Sequence, residues 1–400
     1  MRLLTLSGRS GQAIAALLVA GLSLASPATN YAQVLPRNDR ADRELACRVV
    51  GALGSGQWGQ SADRFWRVSI FRKDSVNPRQ ATLDGYAPSR IEVWRWDRNA
   101  PARELAFDLR DPFVHLAWLP HDDYIAAFKH PDRRQWPVIL KARDGRKLES
   151  WSLEDQKWNL YLRKASRNGK YVGVCADPDW GAREYSLDST MQECRAGLID
   201  IEARKLTWVT DFRGMGVNSN VIPASGGNVI ALGPYETETG FQVAVCDVAR
   251  RNMLWSRQFD SVPSCACFSP NGDVLHVGGI GPCVLTLDAR SGKTLLTWIV
   301  TPNGELEKPF GGPSASCLDV SPDGDFLAVG TAEGDIYVRS KATGGIARLF
   351  HEHGHVLLVT FSPDSQNLAT SMRDTIKIWS RKSWGGTPGA GVNIERESLK

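Results

Sequence analysis

Gly354 to Trp379 reads GHVLLVTFSPDSQNLATSMRDTIKIW, and looser copies of it recur upstream roughly every 40–60 residues, which marks one supersecondary unit repeated in tandem. The turn at its centre, Phe361-Ser-Pro-Asp-Ser365, has counterparts in Phe268-Ser-Pro-Asn-Gly272 and Val320-Ser-Pro-Asp-Gly324. Each leads into a short apolar run: VLHVGG from Val274, FLAVGT from Phe326 and NLATSM from Asn367. A second landmark, an aromatic late in the unit, keeps step with the first at Phe107, Trp151, Trp208, Trp255, Trp298 and Phe350.

Within a unit the pattern has period two. β-Branched and aromatic residues alternate with others, and Gly, Asn or Asp stand at the breaks, as in strands joined by tight turns. The clearest unit holds four strands: Ser264 to Phe268, Val274 to Gly278, Cys283 to Leu287 and Thr294 to Ile299. Its third strand ends in an apolar-Asp pair, Leu287-Asp288, echoed at Cys246-Asp247, Ile199-Asp200 and Trp96-Asp97.

These landmarks resemble the WD40 repeat family. The resemblance implies an all-β fold, a seven-bladed β-propeller of four-stranded antiparallel blades. Its units run 46–110, 111–155, 156–213, 214–260, 261–300, 312–350 and 351–382, so the propeller covers 46–382. In the last unit Gly354-His355, Asp374 and Trp379 occupy the places where the family sets a His-hydroxyl-Asp-Trp hydrogen-bonded network, with Ser371 or Thr370 as the hydroxyl. The other units lack the His, so apolar packing by the late aromatics is expected to hold them. In the family, a strand from the opposite terminus often completes the last blade. Tyr31 to Leu35 and Val392 to Arg396 are both candidates, which leaves 383–400 as a tail or a closing strand.

The N-terminus is of another kind. Arg2 and Arg9 precede an apolar stretch from Ala13 to Ala25 and small residues as far as Ala32, the layout of a secretory signal peptide over 1–32. The apolar stretch falls short of the ~20 residues that a spanning helix needs, so no membrane span is expected in the mature chain. The product is expected to be exported, to the periplasm, cell envelope or extracellular space. The chain carries 48 basic and 44 acidic side chains, a formal net charge of +4, and the leader takes two arginines and no acid with it. Such a balance gives no electrostatic footprint for nucleic acid.

All eight cysteines lie beyond the leader, where an oxidising compartment would meet them. Cys175 and Cys194 flank a hairpin loop nearly symmetrically, which admits a disulfide or two packed thiols. Cys265 and Cys317 hold equivalent places in neighbouring units and read as packed thiols. Gly54-Ser-Gly56-Gln-Trp-Gly59 spells a dinucleotide fingerprint, but a turn and a strand follow it where a phosphate site needs a helix. His351-Glu-His353-Gly-His355 sets three imidazoles at period two, yet supplies no cysteine and only one nearby carboxylate, too poor a donor set for a metal. Asp177-Pro-Asp179 falls short of the six or more oxygens that calcium takes. No nucleophile elbow, haem-attachment or HExxH motif is present, so no catalytic residue, cofactor or metal is expected.

The functional signal is where the extra length falls. With strand order a-b-c-d, the b-to-c and d-to-a connections emerge on one face of a propeller and the a-to-b and c-to-d turns on the other. The insertions at Lys73 to Ser89, His130 to Pro137, Asp177 to Thr190, Pro234 to Gly240 and Thr301 to Pro313 all fall on the first face. They carry Arg133, Arg134, Trp136, Trp180, Arg183, Tyr185, Tyr235 and Phe310, drawn from or close to the residue types that dominate interface hot spots. The expectation is a monomeric, non-catalytic interaction scaffold that docks a protein partner there. The alternative is a propeller enzyme or small-ligand binder acting at the channel mouth.

Overall fold

A computed structural model describes the strand backbone at 47–49, 56–58, 65–73, 89–97, 100–109, 115–118, 123–127, 136–142 and 147–153. Beyond these it describes residues 158–178, 192–214, 220–237, 240–259, 261–281, 283–300, 314–351, 354–372 and 376–383. Among the described residues the strands form seven antiparallel sheets, each built from strands consecutive in sequence.

Sheet 3 comprises Trp158–Ala165, Tyr171–Pro178, Gln192–Asp200 and Lys205–Gly214 as strands a to d. Sheet 4 comprises Val221–Pro223, Val229–Thr237, Gly240–Asp247 and Asn252–Phe259. Sheet 5 comprises Cys265–Phe268, Val274–Ile280, Cys283–Asp288 and Thr294–Ile299, within two residues of the sequence reading throughout. Sheet 6 comprises Ala315–Val320, Phe326–Thr331, Asp335–Ser340 and Ile346–His351. Sheet 7 has strands a to c, Leu358–Phe361, Asn367–Ser371 and Ile376–Ser380. Sheet 2 follows the same plan from His115–Trp118 to Lys147–Leu153. Sheet 1 departs from it: two short segments, Cys47–Val49 and Gly56–Trp58, both pair with Phe65–Lys73.

The Ser-Pro turns owe their recurrence to one hydrogen-bond set. The Ser269 hydroxyl donates to Asn271 Oδ1 at 2.7 Å and accepts the Val274 N–H at 3.0 Å. The Ser269 N–H meanwhile reaches Val274 O, and Gly272 N–H reaches Ser269 O. Ser166, Ser321 and Ser362 make the same two side-chain bonds in their turns. The fourth turn residue needs a left-handed backbone, φ 78° at Gly272 and 77° at Gly324, where glycine carries no Cβ penalty. Sheet 7 places Ser365 there at φ 59°, and its hydroxyl accepts the Asp323 N–H of the neighbouring turn.

The core lies between sheets. Val229, Ala231, Val243 and Val245 of sheet 4 pack on Ala266, Phe268, Leu275 and Val277 of sheet 5. Their strand neighbours Ile230, Leu232, Ala244 and Cys246 pack on Cys175, Ala196 and Leu198 of sheet 3. Both faces of the sheet are therefore apolar, so its strands read as continuous hydrophobic runs. Sheets 5 and 6 share Trp298, Leu318 and Tyr337, and sheets 6 and 7 share Phe350, Val359 and Phe361. Full burial of each such side chain favours folding by ~1.5–3 kcal/mol.

Three of the late aromatics, Trp255, Trp298 and Phe350, make contacts between sheets. Phe350 and Trp379 stack across sheets 6 and 7 with centroids 4.0 Å apart, and Trp298 meets Tyr337 edge-on at 6.4 Å across sheets 5 and 6. Trp255 donates its indole N–H to Ala289 O of the next sheet at 2.9 Å. Each c-d pair among the described residues also carries one extra residue in strand d: Glu104, Leu148, Val209, Leu254, Leu295 and Ala347.

Candidate functional site

Two sets of residues could meet a ligand: those of the adjoining a strands, and those of the long connections between strands. Consecutive a strands adjoin from sheet 2 to sheet 7. Close approach is built in at strand b, where glycine replaces a side chain. A Cβ on Gly278 would sit 3.0–3.1 Å from Cys265, Ala315 and Leu318, and one on Gly330 would sit 2.5 Å from Val356 Cγ1. The backbones so admitted are joined by hydroxyls. Ser264 donates to Ala315 O, and Ser316, the equivalent residue of sheet 6, donates to Val356 O at 2.5 Å.

Two residues before each turn, strand a presents Lys164, Cys267, Asp319 and Thr360 at equivalent places. Burial pushes the Cys265 thiol up to about 11 and the Cys317 thiol up to about 12, and it raises Cys267 as well. The Lys164 charge opposes all three shifts without overcoming them, so these are protonated packing thiols and not nucleophiles. From the turn of sheet 3, Arg167 Nη2 donates to Asp319 Oδ1 at 2.6 Å and to Val320 O at 2.5 Å on sheet 6. The other oxygen, Asp319 Oδ2, accepts the Phe361 N–H of sheet 7 at 2.8 Å. Sequence reasoning missed this cluster. Its one visible signal is Arg167 itself, which stands where the Ser-Pro turns carry Pro270, Pro322 and Pro363.

The longest connections between strands cover 74–88, 179–191 and 300–314, each of b-to-c or d-to-a type. The a-to-b turns at 166–170, 224–228, 269–273, 321–325 and 362–366 are uniformly short. Of the eight residues expected to form the docking surface, Arg133, Arg134, Trp180, Arg183, Tyr185 and Phe310 lie outside the described residues. Trp136 opens the third strand of sheet 2, Trp136–Ala142.

Tyr235 requires a correction. Pro234 to Gly240 forms no extended loop, because strands b and c of sheet 4 run on to Thr237 and from Gly240. Tyr235 faces the interior at 4% exposure, packs on Phe212 at 5.1 Å and donates its hydroxyl to Gln242 Oε1 at 2.9 Å. Burial, with the Cys246 thiol adding to it, pushes the phenol up to about 12. Asp177 and Pro178 likewise belong to strand b of sheet 3. Cys175 and Cys194 are both buried and lie diagonally across strands b and c, since the register sets Cys175 opposite Ala196.

The network of the last unit forms in part. Trp379 donates its indole N–H to Thr370 Oγ1 at 3.0 Å, whereas Ser371 donates to Met372 O. Thr370 is therefore the hydroxyl, because adjacent strand residues point to opposite faces and only Thr370 shares the Trp379 face. His355 is exposed, and Asp374 lies outside the described residues. His351 Nδ1 is 2.8 Å from Asp335 Oδ1, and among the described residues no group of three or more donors could hold a metal ion.

The family model of the WD domain, G-beta repeat, matches residues 304–340 and 346–380. The second match begins on strand d of sheet 6 and ends on strand c of sheet 7, so the sequence repeat is offset by one strand from the sheet. Among curated relatives, Echinoderm microtubule-associated protein-like 2 is 32% identical over 126 residues in both its Homo sapiens and Mus musculus forms. The Rattus norvegicus form is 30% identical. The match covers 30% of this chain and 18% of each relative. The chain thus carries WD40 repeats over 304–380 in an all-β array of antiparallel sheets. Proteins built on this repeat generally act as interaction scaffolds for other proteins and generally have no enzymatic role.

Proposed function

We propose that the chain is an exported seven-bladed propeller that works as a non-catalytic scaffold, docking a protein partner on the face of its b-to-c and d-to-a connections. The carrying observation is the asymmetry of connection length. The stretches 74–88, 179–191 and 300–314 are all of b-to-c or d-to-a type, while the a-to-b turns are short, and that of sheet 5 bonds Ser269, Asn271 and Asp273 to one another. Cores shared between successive sheets support a ring, and so does the contact from sheet 3 to sheet 6, which needs the array to curl round a channel. With Tyr235 inside the core, the docking residues reduce to Arg133, Arg134, Trp136, Trp180, Arg183, Tyr185 and Phe310. From the relatives the proposal takes the repeat alone, since the match covers 18% of proteins whose printed name concerns microtubules.

The test starts from the partner recovered with the mature protein from its own cell envelope. Purified binding should weaken by at least ~2 kcal/mol when Trp136, Trp180 and Tyr185 are replaced by Ala, if one of them is a hot spot. Replacing Arg290 and Lys293, exposed in a c-to-d turn, should leave affinity unchanged. The reverse order of effects overturns the assignment of the face.

A further inference from the structure

Among the described residues, cores join neighbours only: sheet 3 to 4, 4 to 5, 5 to 6 and 6 to 7. In such an array each unit is held by the units beside it, and the last can loosen alone. The Arg167–Asp319 pair breaks that pattern, because it skips two sheets and joins residues 152 apart in sequence.

The pair is built into its surroundings. Its side chains are 29% and 16% exposed, less than an ordinary surface ion pair, and every oxygen of the Asp319 carboxylate is used. A guanidinium bonded to a carboxylate and a carbonyl at once is fixed in direction as well as in charge. Through Asp319 the contact passes directly to the Phe361 N–H, at the end of the innermost strand of sheet 7. Arg167 also stands where sheets 5, 6 and 7 keep proline, so the turn forgoes a pre-set φ in favour of a side chain that reaches across.

We propose that Arg167 and Asp319 form a latch across the channel, which couples opening of sheets 6 and 7 to sheet 3 and spans the a-to-b end of the channel. The latch rests on the ring reading for the channel alone; the coupling of sheets 3, 6 and 7 is independent of blade count and of any partner.

Hydrogen exchange on the full chain tests it, read at strands 358–361 and 367–371 against strand 274–280 as a control. Arg167→Ala should speed exchange in sheet 7 about tenfold, the scale of a hydrogen bond to a charged group, and leave the control strand at its native rate. Asp319→Asn keeps an oxygen for the Phe361 N–H but loses the charge, and it should act likewise, with the double variant no worse than either single. Arg167→Pro restores the Ser-Pro turn and separates the latch from local folding: the turn should stay protected while sheet 7 exchanges faster. Native exchange rates at 358–361 in Arg167→Pro, or effects of the two single variants that multiply in the double, would overturn the latch. Partner binding unaffected by a lost latch would leave the docking face standing.

Discussion

Replacing Gly330 by Ala probes the spacing between sheets 6 and 7. The added methyl would lie 2.5 Å from Val356 Cγ1, 2.8 Å from Cys317 Sγ and 2.9 Å from Val356 Cβ. Non-bonded carbons prefer ~3.5–4.0 Å, so the sheets must separate by about 1 Å or the strand must shift. Either movement strains the Ser316 hydroxyl, which holds Gly330 O at 3.1 Å and Val356 O at 2.5 Å. Overpacking costs ~1–3 kcal/mol, and disturbing that hydroxyl places the cost in the upper part of the range, about 2–3 kcal/mol. Val356→Ala removes the methyl group that clashes. Combined with Gly330→Ala it should recover at least ~1 kcal/mol relative to the sum of the single effects. Denaturant unfolding of the four proteins measures this coupling. Wild-type stability in Gly330→Ala, or strict additivity in the pair, would show that the sheets do not approach as closely as the backbone places them.

Other substitutions give separate tests. Burial lowers His276 from 6.5 to about 4, with Arg339 adding to it, so between these values the unfolded chain binds a proton that the folded chain refuses. Stability should therefore fall as pH drops from 6.5 towards 4, and His276→Gln should flatten that part of a melting-temperature profile. Burial would raise the Asp323 carboxyl, but hydrogen bonds from Ser321 and Arg381 hold it below the usual range. Its contribution is present above the unfolded carboxylate value of ~3.9 and is lost as pH falls through the lower folded value, so Asp323→Asn should blunt acid unfolding. Thr370→Val should lose about 1 kcal/mol by orphaning the Trp379 indole N–H, and an unchanged denaturation midpoint would refute that bond. Export predicts that N-terminal sequencing of protein from the native host begins between Ser26 and Gln33; an intact Met1 would refute it.

Much of the strand plan was legible because the repeat displays it several times. The Ser-Pro turns are local chemistry: a hydroxyl, an Asx side chain and a left-handed glycine within five residues, visible wherever they occur. The late aromatics were legible for the same reason, and Phe350 on Trp379 confirms their role between sheets. Tyr235 was misread because a proline and a glycine on either side of it suggested a loop, whereas the strands lengthen to enclose it. Sequence leaves Ser371 and Thr370 both open because facing is fixed by register, which depends on the partner strand. The Arg167–Asp319 contact was illegible because its halves belong to repeats three apart, and no local pattern of residues links them.

The extra residue carried by each strand d bears on behaviour at high concentration. An outer strand exposes a row of unused amide and carbonyl groups, a template on which another chain can lengthen the sheet. Strand d of sheet 5 would be the most inviting, since Thr294 to Ile299 carries no charge and shows Leu295 and Leu296 at 53% and 38% exposure. The irregularity at Leu295 interrupts the ladder that an incoming strand would have to follow and increases the local twist. Repeated in six sheets among the described residues, the same device makes these outer strands poor seeds for fibrous assembly.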